Sequence, residues 1–503
     1  MNIKRAKEEI KDTIEAYLLK DEDGEYVIPP IRQRPVLLIG APGIGKTQIM
    51  EQIARECQVG LVAYTITHHT RQSAIGLPFI THQEFDQKEY AITEYTMSEI
   101  VASVYEKIKK TGLREGILFI DEVNCVSETL APAMLQFLQC KIFGNHAIPR
   151  GWVIVAAGNP PEYNKSVREF DVVTLDRVKR IEVEPDYQVW KEYALREEIH
   201  PAIISYLDTR GQYFYKMETT VDGKRFATPR GWEDLSRLIT VYEKLGKQVD
   251  REVVVQYIQH EKIAKDFANY LELYRKYRID YQLDEVLKGQ ISERLVKKAR
   301  NASFDEKLGL ISLLLRRCTE AFHGICFHEG VMKLLFEQLK LLKEGFMGAH
   351  SSQPLVFMRS ICESFAGEWE QKREAELLNR EGNRGYKRAL ELLSHYEKEL
   401  TLENPSDGTA AFEKIRTLFG KEKMALAEEK AHAGQLLEYA FDFMEAAFGE
   451  SQEMVLFVTE LNANYYSVQF LGMYECERYY HYNQSLLFEE GSRAIEAKLD
   501  ELL

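Results

Sequence analysis

Val36-Leu37-Leu38-Ile39-Gly40-Ala41-Pro42-Gly43-Ile44-Gly45-Lys46-Thr47-Gln48-Ile49-Met50 decides the fold. Its four opening apolar residues, without alternation, read as a strand buried on both faces of a parallel sheet. Gly40-Ala41-Pro42-Gly43-Ile44-Gly45-Lys46-Thr47 fits G-x-x-x-x-G-K-[ST], and Gln48-Ile49-Met50-Glu51-Gln52-Ile53-Ala54 continues as a helix. Strand, glycine loop and helix in that order make a phosphate cradle. Glycines let the backbone curl so that successive N–H groups face phosphate oxygens, and the helix N-terminus adds partial positive charge. In such a cradle Lys46 reaches the β- and γ-phosphates and Thr47 offers a hydroxyl to Mg²⁺. A glycine turn with a chance lysine would not be flanked in this way.

Working outward, short apolar runs at 60–65, 116–120, 153–157 and 180–184 alternate with helical stretches, the pattern of a parallel sheet covered by helices. Thr96-Met97-Ser98-Glu99 reads as a capping box that opens one of those helices. The run Gly116-Ile117-Leu118-Phe119-Ile120 ends in Asp121-Glu122, at the strand end where ligands of parallel sheets bind. Asp121 is the candidate holder of Mg²⁺, and Glu122 the candidate acceptor or orienter of an attacking water. Trp152-Val153-Ile154-Val155-Ala156-Ala157-Gly158 ends in Asn159, whose amide both donates and accepts and so suits a γ-phosphate together with a lytic water.

Composition bounds the rest. The chain has 503 residues and is 45% hydrophobic, enough for large cores and against wholesale disorder. A formal charge of −14 argues against a protein that coats polyanions. No apolar run approaches the ~18 residues of a membrane span. Met1-Asn2-Ile3-Lys4-Arg5 leads into charged residues and not an apolar signal core, so a cytoplasmic location is expected. The seven cysteines form no C-x-x-C pair and read as reduced thiols.

The expected organisation is an α/β nucleotide-binding domain with an N-terminal helix over 1–185, an all-α lid over 186–247, and a larger all-α region over 248–503. In the last, Met332, Leu335, Phe336, Leu339 and Leu342 share one helical face, Ser303-Phe304-Asp305-Glu306 is a capping box, and Glu403-Asn404-Pro405-Ser406-Asp407-Gly408 divides two helical groups. His68-His69 has no third ligand in view and reads as structural. Phe79-Ile80 suits either a pore-facing grip or core packing. Tyr465-Tyr466 and Tyr479-Tyr480-His481-Tyr482, with few basic residues between, suit helix packing or a partner surface rather than base stacking.

Taken together, the glycine loop, Ile120-Asp121-Glu122 and Ala156-Ala157-Gly158-Asn159-Pro160 resemble an AAA+ ATPase over roughly residues 30–245. Finer marks are similar to its MoxR-type branch. Lys141-Ile142-Phe143-Gly144-Asn145-His146-Ala147-Ile148-Pro149 reads as a hairpin just before the strand that ends in Asn159. Leu175-Asp176-Arg177-Val178 resembles the family's L-[DN]-R-F, with Val178 in place of the aromatic, and Thr228-Pro229-Arg230 resembles the start of its sensor 2 helix. The resemblance implies ATP and Mg²⁺ as cofactors and a ring of subunits, usually six, with ATP at each boundary. It implies Arg177 as the trans-acting arginine finger, with Arg180 and Arg168 as alternatives, and Arg230 as a residue of the lid that reaches phosphate in its own subunit. It further implies a chaperone-like remodeller of partner proteins, including partners with a von Willebrand factor A-type domain. Two rival classes stand beside it: a nucleic-acid motor of restriction type, which the acidic balance disfavours, and a nucleotide-gated scaffold, which the presence of Glu122, Asn159 and Arg177 disfavours.

Overall fold

The computed structural model describes residues 1–484 apart from 69, 86, 144, 164–166, 168, 169, 222, 349 and 406. The chain forms two compact units: Met1–Val189 with Gly367–Asn383, and Trp190–Ala366 with the chain from Arg384 onward.

In the first unit, helix α1 (Ile3–Leu18) precedes strand β1 (Val36–Gly40), helix α2 (Lys46–Cys57) and strand β2 (Gly60–Thr65). Helix α3 (Arg71–Ile75) leads to a hairpin of β3 (Pro78–Phe85) and β4 (Lys88–Tyr95), then to α4 (Glu99–Thr111) and β5 (Gly116–Asp121). Next come α5 (Ala131–Cys140), the two-residue strands β6 (Ile142–Phe143) and β7 (His146–Ala147), β8 (Trp152–Gly158), the short helix α6 (Val172–Leu175), β9 (Lys179–Val183) and the start of α7 (Tyr187–Arg196). Five strands make one parallel sheet in the order β2-β5-β8-β1-β9. These are the five strands expected from the apolar runs. β8 is buried at every position, as a central strand covered on both faces must be. Ile100, Val104, Met134, Phe137 and Leu138 from α4 and α5 pack into the core with Leu118, Ile120 and Ile154.

Trp152 lies across the starts of two neighbouring strands. A Cβ on Gly116 would fall 2.6 Å from its ring, and one on Gly60 3.1 Å. The indole occupies the space that side chains at those two positions would fill.

The Thr96 capping box does not form. α4 begins two residues later, with Ser98 at its N-cap and no side-chain cap bond. Thr96 faces the base of the β3–β4 hairpin, where its Oγ1 accepts from Leu77 N at 2.8 Å and its N–H donates to Leu77 O at 2.9 Å. The hairpin itself is an addition to the sequence reading. Its residues are almost all exposed, including Phe79, Ile80, Phe85 and Tyr90, so Phe79 and Ile80 are not core residues.

In the second unit, α7 ends and is followed by α8 (Pro201–Thr209), an antiparallel pair of β10 (Lys216–Thr220) and β11 (Gly223–Ala227), α9 (Pro229–Lys244), α10 (Arg251–Tyr257) and α11 (Glu261–Asp280). The β10–β11 pair interrupts the all-α pattern expected there. Thr219 and Thr220 favour extended backbone, and Gly223 takes φ +129° at the turn. Tyr206, Trp232 and Phe267 meet as a buried aromatic cluster. The remainder is helical: α12 (Leu283–Val286), α13 (Glu293–Arg300), α14 (Phe304–Met347), α15 (Pro354–Glu374), α16 (Arg380–Glu403), α17 (Gly408–Phe448), α18 (Gln452–Ala463) and α19 (Tyr465–Leu471), with the end of α15 and the start of α16, Gly367–Asn383, belonging to the first unit. Ser303 caps α14 by accepting from Glu306 N, and α16 and α17 part at the expected polar break. Met332, Leu335, Leu339 and Leu342 are buried on α14, whereas Phe336 is half exposed at the edge of that stripe. Tyr466 and Tyr479 are buried, consistent with helix packing. All seven cysteines are free thiols. Among the described residues no helix is long and apolar enough to cross a membrane.

Candidate functional site

Because β1, β5 and β8 are parallel neighbours in near register, their carboxyl ends meet at one edge of the sheet. That edge gathers the glycine loop after Gly40, the acid pair at the end of β5, and Asn159 just past β8. Gly43 and Gly45 take φ +78° and +94°, the left-handed values that bend the loop into α2. Lys46 is the first residue of α2 and is buried. Its Nζ donates to Gly40 O at 2.7 Å, Ala41 O at 2.9 Å and Asn159 Oδ1 at 2.9 Å. The sequence places Lys46 and Asn159 113 positions apart; the sheet order brings them together.

Thr47 Oγ1 donates to Asp121 Oδ2 at 3.2 Å, and the other oxygen of Asp121 accepts the Glu122 N–H at 2.9 Å. The Asp121 carboxylate thus ties α2 to the end of β5. Glu122 has φ +57°, a left-handed conformation costly for a side chain with a Cβ. Such strain persists where the surroundings impose it, and often at functional positions. Here the next residue anchors the turn, with Val123 N donating to Ala157 O at 2.9 Å. The Glu122 carboxylate accepts from Thr67 Oγ1 at 3.1 Å.

These residues fit a nucleotide phosphate and Mg²⁺. Lys46 brings a cationic amine to the loop carbonyls, and a Cβ on Gly40 would fall 2.8 Å from Val183 O, so the loop takes its path only without a side chain there. Thr47 and Asp121 offer hard oxygen donors side by side, the chemistry Mg²⁺ prefers.

Two residues that the sequence reading did not single out belong to this edge. Thr67 follows β2, whose end is paired with that of β5, Thr65 opposite Asp121. Asn124, only 5% exposed, donates from Nδ2 to Asn159 O at 2.8 Å and accepts at Oδ1 from Asn159 N at 3.3 Å. A polar residue inside the apolar stretch Val123-Asn124-Cys125-Val126 was the available signal for it.

Within the first unit, Arg177 and Arg180 stand apart from this group of residues. Arg177 is exposed after α6; its backbone N–H donates to Thr174 O and its guanidinium to Gln139, and it makes no bond to the loop or the acid pair. Val178 is buried in the core cluster, a place that calls for an apolar side chain. Arg180 is exposed on β9 and pairs with Glu182. Arg168, His69, Gly144 and Ser406 lie outside the described residues. Ile142 and Phe143 do pair antiparallel with Ala147 and His146, as a hairpin before β8 requires. Arg230 belongs to the second unit, exposed in the first turn of α9; Thr228 caps that helix by accepting from Gly231 N at 3.2 Å, with Pro229 as its first residue.

Residues 35–178 match the model of the AAA domain, dynein-related subfamily, a span that runs from just before β1 to just after α6. No curated protein matches the chain. The match covers less than a third of the chain but contains the whole glycine loop, Asp121, Glu122 and Asn159. It supports an AAA+ ATPase domain, a class that binds and hydrolyses nucleotide.

Proposed function

We propose that this protein is a MoxR-type AAA+ ATPase that remodels or activates partner proteins, working as a ring of its own copies with ATP at each boundary. One observation carries the hydrolytic part: Lys46, Asn159, Thr47, Asp121 and Glu122 converge on one sheet edge, with Lys46 bonded to Asn159 and Thr47 to Asp121. Lys46 and the loop N–H groups would bind the phosphates. Thr47 and Asp121 would hold Mg²⁺, which offsets phosphate charge when bound. Glu122 orients the attacking water and takes its proton; Asn159 fixes that water relative to the terminal phosphate.

The partner-directed part rests on charge and on exposed apolar surface. The net charge of −14 leaves no surplus of cations to neutralise a phosphate backbone. The β3–β4 hairpin offers Phe79, Ile80, Phe85 and Tyr90 to solvent, with Phe85 and Tyr90 side by side, and these are side chains that a protein partner could cover. In the ring reading, Arg177 supplies the finger to the neighbouring copy and Arg230 serves its own. A partner with a von Willebrand factor A-type domain is part of the same proposal.

The deciding measurement is ATPase rate at fixed salt against added DNA, RNA, and protein captured by an ATP-trapped Glu122→Gln chain. Captured protein should change the rate and nucleic acid should not, because a partner that prefers one nucleotide state shifts the balance between them. Several-fold activation by nucleic acid alone would overturn the remodeller reading in favour of a motor.

A further inference from the structure

We propose that Asn124 is a positioning residue of this site, acting through Asn159. The inference rests on the functional reading of Asn159 given above and names what holds that residue in place. Asn124 stands two residues after Glu122, in a turn closed by Cys125 N donating to Glu122 O at 2.8 Å. Its amide meets both backbone groups of Asn159, donating to the carbonyl at 2.8 Å and accepting from the N–H at 3.3 Å. One side chain thereby does what a paired strand would do, and extends the β5–β8 ladder past the point where both strands end.

Only an amide suits this place. Aspartate accepts but cannot donate to the Asn159 carbonyl, leucine does neither, and alanine leaves both backbone groups without this partner. Space is equally restrictive: a Cβ on Gly158 would fall 2.5 Å from Asn124 Oδ1, so the residue before Asn159 must lack one for the amide to reach in. The backbone held in this way aims the Asn159 side chain, whose Oδ1 accepts from Lys46 at 2.9 Å. Lys46, Asn159 and Asn124 form one hydrogen-bonded line, and it arrives in the turn that presents Glu122.

The test is a cycle of Asn124→Ala, Asn159→Ala and the double variant. Steady-state kcat, the Kd of a fluorescent ATP analogue and the Tm are measured for each. Asn124→Ala should lower kcat about tenfold or more, since sub-ångström placement of a catalytic group is worth that much, and leave the nucleotide Kd within about twofold. The double variant should be no slower than Asn159→Ala, to within about twofold. Asn124→Asp, of the same size and with one of the two bonds, should fall between wild type and Asn124→Ala; it serves as the readout should the alanine variant not fold. Wild-type kcat in either Asn124 variant, or losses that multiply in the double, would overturn the proposal. A wild type without ATPase activity, or an Asn159→Ala variant at full rate, would instead overturn the functional reading on which it rests.

Discussion

Thr67 Oγ1 donates to Glu122 Oε2 at 3.1 Å, so the candidate water-activating carboxylate is tied to the end of the adjacent strand. A carboxylate oxygen that already accepts a hydroxyl is a weaker proton acceptor and is held in one orientation, so this bond competes with the water that Glu122 is to activate. The bond is exposed to solvent, and such a bond is worth about 0.5–1 kcal/mol. Thr67→Val keeps the shape and removes the donor. Basal ATP turnover should therefore rise about two- to fivefold. A fall in turnover would mean that Thr67 supports Glu122 in its working position.

The acid pair separates stability from turnover. Glu122→Gln should keep ATP bound and slow hydrolysis by ~10²-fold or more, whereas Lys46→Ala should weaken nucleotide binding itself. Glu122→Gly should abolish hydrolysis yet leave the Tm within a few degrees of wild type, the exposed Thr67 bond being the one uncompensated loss. The left-handed backbone at φ +57° costs about 1 kcal/mol with a Cβ and nothing with glycine, which offsets the extra chain entropy of about 0.5–1 kcal/mol. A clear drop in Tm would show that the glutamate side chain holds the turn.

Arg177 is exposed and bonded to Gln139, away from the glycine loop of its own copy. If it completes a neighbour's site, Arg177→Ala should bind ATP normally and hydrolyse it up to ~10³-fold more slowly. Mixing it with Lys46→Ala chains should restore activity, because mixed rings contain boundaries where an intact Lys46 meets an intact Arg177. Proven mixing with no recovery would favour Arg180, Arg168 or an enzyme that works as a single copy.

Acid should weaken the second unit through His200. Its Nδ1 accepts from Ala202 N at 3.3 Å, capping α8, and its Nε2 donates to Glu243 Oε1 at 3.2 Å. That bonding needs the neutral ring. Burial holds the His200 pKa below the usual imidazole value, with Arg316 and Arg275 adding to it and Glu243 opposing. The unfolded chain therefore takes up this proton first as pH falls past about 6.5. The stabilising contribution is complete above that value and is lost below it, by about 1 kcal/mol for the cap alone. His200→Asn retains a capping acceptor that does not titrate. Its Tm should fall less than that of wild type between about pH 7.5 and about pH 5.5. Equal falls would assign the acid sensitivity to other groups.

The parallel sheet was legible because β1, β2, β5 and β8 are dense apolar runs, while β9, at the sheet edge, alternates charged residues with the buried Ile181 and Val183; the loop was legible because its residue types are fixed by contact with phosphate. The β3–β4 hairpin was not, since it buries almost nothing and so carries no apolar alternation. Thr96 misled for a different reason. Its spacing to Glu99 suits a cap, but the hydroxyl is engaged by Leu77 from the hairpin, a contact that local sequence does not encode. Thr67 and Asn124 escaped notice on the same ground. Each acquires its role from a neighbouring strand, Thr67 from β5 and Asn124 from β8, and single-residue types carry no record of which strands lie side by side.

Trp152, Gly60 and Gly116 behave as one inherited unit. Any side chain at Gly116, and a large one at Gly60, would require a smaller residue in place of the tryptophan, and the change in either direction passes through an overfilled or hollow intermediate. Among descendants of a common ancestor these three positions should therefore change together or not at all, and a chain with alanine or a larger residue at 116 should carry a residue smaller than tryptophan at 152.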